Sequence, residues 1–74
     1  MTQYLYTVII EREEESGFHA FCPALHGCHS HGETYEETIK NIEEAIKLYI
    51  ESLKAHSEPI PSEDVIIKPI RIAA

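Results

Sequence analysis

The chain predicts a single-domain α+β fold with the element order β-β-β-α-β. Three observations predict it. The first third is strand-like and broken by glycine and proline, as antiparallel strands joined by short turns are. One long stretch after Thr34 repeats its apolar residues at helical spacing. A last run, Val65 to Ile72, returns to β-branched residues behind a proline-rich connection. The 74 residues, 1–74, make one domain. A chain of that size buries about 60% of its unfolded surface, so a homo-oligomer, dimer or tetramer, is expected to help it.

The first strand is expected from Tyr4 to Arg12. Its alternating sets, Tyr4/Tyr6/Val8/Ile10 and Leu5/Thr7/Ile9, are both largely apolar, which predicts cover on both faces. Glu13-Glu14-Glu15-Ser16-Gly17 is a polar turn. Phe18 to Cys22 returns antiparallel, and Pro23 ends it by lacking a donor. A turn at Gly27-Cys28 leads into a short, polar third strand, Cys28 to Gly32. Thr34-x-x-Glu37 is a capping box that opens the helix. Tyr35, Ile39, Ile42, Ala45, Ile46, Tyr49, Ile50 and Leu53 then form one apolar face. On the other face Glu36 and Lys40, like Glu43 and Lys47, are favourable pairs four apart. Glu58-Pro59-Ile60-Pro61-Ser62 cannot continue the helix. The last strand, Val65 to Ile72 with Pro69 at an edge position, is predicted to lie parallel to the first by a right-handed crossover. The helix covers one face of the sheet. The other face needs cover, for which a second copy is the natural source.

Pro23, Leu25, Gly27, Cys28, Ser30, Gly32, Glu33, Thr34, Glu36 and Glu37 spell a strand, Pro-x-Leu-x-Gly-Cys, x-Ser-x-Gly-Glu-Thr and x-Glu-Glu. In this the chain resembles the HicB antitoxin family, with Thr38 where that family has Ala. Pro23, Gly27, Cys28, Gly32 and Thr34 are its structural positions. The resemblance implies a half-size version of the RNase H arrangement. It also implies a binding function, the capping of a small, basic, RNA-cleaving toxin of HicA type, with no cofactor. Full-length members often add a C-terminal segment that binds operator DNA. This chain stops at Ala74, just after the last strand, so no direct DNA binding is expected of it.

Charge points the same way. Six Lys and Arg stand against thirteen Asp and Glu, a net charge of -7. That repels a phosphate backbone and attracts a basic partner. The acids that could meet such a partner are Glu11, Glu13, Glu14 and Glu15 on the first hairpin and Glu36, Glu37, Glu43 and Glu44 on the helix. For each taken singly, a solvated surface group is the better reading. The N-terminus has no basic leader, and its apolar run is too short to span a bilayer, so a cytoplasmic protein is expected.

The alternative from another class is a small metal-binding or enzymatic protein. Cys22, His26, Cys28, His29 and His31, with His19 close by, carry the right ligands for zinc. No Cys-x-x-Cys pair is present, however, and a Cys22–Cys28 disulfide would need an oxidising compartment. Cys28 beside histidines lacks a recognisable orienting third group for nucleophilic catalysis. An RNase H-type nuclease needs a carboxylate at the middle of its first strand to hold metal ions. That position here is Tyr6-Thr7-Val8-Ile9, and the first acid is Glu11. The expectation is therefore a non-enzymatic binding protein.

Overall fold

The computed structural model describes residues 3–74; Met1 and Thr2 lie outside them. Three short strands and one helix follow in order: β1 (Ile9–Arg12), β2 (Phe18–Phe21), β3 (His29–Gly32) and α1 (Tyr35–Ala55). The strands form one antiparallel sheet in the order β1-β2-β3. Ile10, Ala20 and Ser30 lie abreast, as do Glu11, His19 and His31. Side chains alternate across a pleated strand. Ala20 is fully buried beneath α1 and Ile10 packs on the same core, so the Glu11, His19 and His31 row occupies the opposite, open face.

The core is small. Ala20, Cys22, Leu25, Cys28 and Ile42 are its buried residues, flanked by Tyr6, Val8, Ile10, Ala45, Ile46 and Tyr49. Burying a side chain such as Ile42 contributes about 1.5–3 kcal/mol. α1 lies over β2 and β3. Its apolar stripe follows the predicted spacing, but its most buried residue is the polar Thr38, whose hydroxyl donates to the Thr34 carbonyl at 2.7 Å. The helix ends with Ser57 at a φ of 55°. The Glu58 and Ser57 amides donate back to the Leu53 and Lys54 carbonyls, satisfying the last turn.

Two expectations need correction. The first strand begins only at Ile9, not at Tyr4. Ile9 is opposite Phe21, so residues 4–8 would have to pair with 22–26. Those residues are taken up by turns: the Cys22 amide donates to the Cys28 carbonyl at 3.0 Å. The second correction concerns Val65 to Ile72, which forms no strand; none follows α1 among the described residues. The connection does start in the parallel sense along residues 6–7, just before β1, with Tyr6 Oη donating to the Pro61 carbonyl at 2.5 Å and the Thr7 hydroxyl to Glu63 Oε2 at 2.8 Å. Beyond Asp64 it leaves the body. Pro59, Pro61 and Pro69 have no amide to offer a ladder, and Ile66 is 92% exposed. The radius of gyration is accordingly 14.4 Å, against about 11 Å for a compact chain of this length.

Candidate functional site

The signature residues between Pro23 and Glu37 build a scaffold. Cys22-Pro23-Ala24-Leu25 is a β-turn closed by the Leu25 amide on the Cys22 carbonyl at 3.1 Å, with proline in the second place, where its fixed φ fits. Leu25-His26-Gly27-Cys28 is a second turn, closed by Cys28 on Leu25 at 3.0 Å. Gly27 holds a φ of 76° in its third place, which a residue with a Cβ adopts at a cost. The two linked turns drive Leu25 into the core, where it is 1% exposed.

The second half of the motif docks the helix. Thr34 Oγ1 accepts the Glu37 amide, and Glu37 Oε1 accepts the Glu33 amide, each at 3.0 Å. Asn41 Nδ2 donates to the His31 carbonyl at 2.8 Å. A Cβ on Gly32 would sit 2.8 Å from both the amide nitrogen and Oγ1 of Thr38, so only glycine lets β3 approach the helix this closely.

The cysteines and histidines are placed differently. Cys22 and Cys28 are free thiols in the core, and burial raises both above the ordinary thiol value. They therefore stay protonated near neutral pH, whereas a nucleophilic cysteine reacts as the thiolate. His19 and His31 are paired on the open face of the sheet, and His19 tilts against His29 with ring centroids 5.5 Å apart. Among the described residues no group of three or more His, Cys, Asp and Glu could hold a metal ion. Glu11 lies abreast of His19 on β1.

The candidate acids divide among several places. Glu13, Glu14 and Glu15 line one concavity of about 530 Å3, together with Glu33, Phe18 and His31. Phe18 holds this end together: Tyr35 meets its ring edge-on at 6.3 Å and the Arg12 guanidinium lies 5.3 Å from its centroid. Glu33, read in the sequence only as a signature residue, was not among the candidate partner-binding acids, because its proximity to the hairpin depends on the β2–β3 register. Glu37 is exposed but engaged in the helix cap. Glu43 belongs to a different concavity, between residues 4–8 and α1. Glu36 and Glu44 are exposed on the helix.

Comparison with known proteins gives this scaffold its kin. Residues 6–71 match the family described as HicB_like antitoxin of bacterial toxin-antitoxin system. The chain belongs to that family. It is 61% identical over 69 residues to UPF0150 protein ssr1765 of Synechocystis sp., covering 93% of this chain and 87% of that one. It is 49% identical over 59 residues to UPF0150 protein Ta0767 of Thermoplasma acidophilum, covering 80% and 86%. A UPF0150 protein of Helicobacter pylori is 44% identical over 70 residues, covering 93% and 96%. No solved structure matches the chain. Membership of this family supports an antitoxin role for the molecule. None of its helices is long and apolar enough to cross a membrane among the described residues.

Proposed function

We propose that this HicB-like chain neutralises a small, basic, RNA-cleaving toxin of HicA type by covering the surface with which that toxin holds RNA. A protein that grips RNA presents Lys and Arg, and an acidic domain can occupy the same ground. The observation that carries the reading is the gathering of Glu13, Glu14, Glu15 and Glu33 around one concavity. This shifts the weight from the helix, where Glu37 is tied into the cap and Glu43 faces another groove, to the hairpin end. Inhibition is then steric and electrostatic. The chain itself cleaves no RNA, binds no operator DNA and works in the cytoplasm.

The test is binding kinetics with a small, basic toxin of HicA type, at several salt concentrations. Replacing Glu13, Glu14 and Glu15 by Lys is expected to slow association by about tenfold or more at low salt and to flatten its salt dependence. Replacing Glu36, Glu37, Glu43 and Glu44 by Lys should do less. Circular dichroism must show both variants folded, since Lys in the first helical turn opposes the helix dipole. Unchanged rates for the hairpin variant would overturn the electrostatic account.

A further inference from the structure

Two stretches of this chain are apolar and without a ladder partner. One is the approach to β1, residues 4–8, in which Leu5 is 89% exposed. The other is the tail, in which Ile66, Ile67, Ile70 and Ile72 are between 62% and 92% exposed. Ile66, Ile70 and Ile72 fall at even spacing and so share one side of an extended chain. Beside the first stretch lies a groove of about 390 Å3, walled by Leu5, Val8, Ile39 and Ile46 with Glu43 among them. The tail does not fill it. Glu63 ties the connection to Thr7, through both its amide and its hydroxyl, and the chain then turns away.

We propose that Val65–Ile72 of one copy is the missing strand of a second copy. It lies along that copy's 4–12 edge with its aliphatic side chains in the groove, and the second copy returns the same strand. Each chain carries both donor and acceptor, so a twofold exchange satisfies both at once and leaves no open end to propagate. The tail departs beside Thr7, within the acceptor edge, so a twofold axis near that point sends each tail across to its neighbour. Charge agrees. All thirteen acids precede Val65, whereas Lys68 and Arg71 are the only charged side chains after it. Tail exchange thus brings cations onto an acidic body and offsets the repulsion between two chains of net charge -7. Pro69 fits as well, because an added strand is an edge strand, where a missing donor is tolerated.

The proposal is independent of any toxin, and its test uses the full chain alone. Sedimentation is expected to show a species of twice the 8.4 kDa chain mass. Ile66→Asp combined with Ile70→Asp should raise its dissociation constant at least tenfold, with the helical circular dichroism unchanged. In a mixture of isotopically light and heavy chains, a photo-cross-linker in place of Ile70 should join the tail to residues 4–12 or 35–47 in peptide pairs of mixed isotope. Three results would overturn it. A monomer at about 100 µM, far above the dissociation constant of a stable dimer, would do so. So would a dimer indifferent to the two aspartates, which would place the interface elsewhere, such as on the open sheet face. Cross-links confined to single chains would mean that the tail closes on its own groove.

Discussion

Residues 18–42 and the pair of stretches 4–8 and 65–72 are both rich in apolar side chains, yet one forms a sealed clasp and the other an open edge. In the clasp, Ala20, Leu25 and Ile42 are at most 1% exposed, while Leu5 and Ile66 are about nine-tenths exposed. Hydrophobicity does not separate them. Local punctuation does. Between Cys22 and Thr38 the backbone polar groups at each change of direction are met nearby: two turns close the 22–28 loop, Thr34 and Glu37 cap the helix, and Gly32 lets strand and helix touch. Along the edge the Glu63 carboxylate meets the Thr7 amide, but no turn or cap closes either stretch. The edge's first half lies opposite a loop already bonded to itself, and its second half is broken by prolines. The difference teaches that an apolar run is buried only where the chain also supplies partners for its amides and carbonyls.

Substitutions can break this contrast. Ile42→Ala should cost about 3 kcal/mol in urea denaturation, as a buried large-to-small change does. Ile66→Ala, at protein concentrations too low for association, should cost less than about 0.5 kcal/mol. Similar losses from the two would abolish the distinction between clasp and edge. Within the clasp the contrast sharpens. Gly32→Ala should cost about 2 kcal/mol, because the backbone of Thr38 cannot yield to a Cβ at 2.8 Å as a flexible side chain would. Thr34→Ala should cost about 1 kcal/mol through loss of the cap. The reverse order would mean that the cap, not the close approach, holds the helix to β3.

The clasp is also what the sequence made legible. Pro23, Gly27 and the Thr34–Glu37 box are local signals, and β2, β3 and the start of α1 stand within a residue of where those signals put them. The edge was misread because strand pairing is not local. Tyr4 to Val8 and Val65 to Ile72 have strand composition, and composition is silent on whether a neighbour is free to pair. Thr38 was missed as a buried residue because its hydroxyl finds the Thr34 carbonyl one turn back. At the candidate site, the acids themselves were legible. Their grouping was not: Glu33 joins the hairpin acids through the sheet register, and Glu37 is withdrawn by a capping bond.

Amide hydrogen exchange followed as a function of protein concentration tests the contrast most directly. At high dilution the amides of Leu5, Ile66, Ile67, Ile70 and Ile72 should exchange at nearly the unfolded rate, while those of Ala20, Cys22, Cys28 and Ile42 stay protected. Raising the concentration should protect the first group and leave the second unchanged. Tail amides protected at the lowest concentration, or clasp amides exchanging as fast as the tail, would contradict the division of this chain into a sealed clasp and an edge that only another molecule can complete.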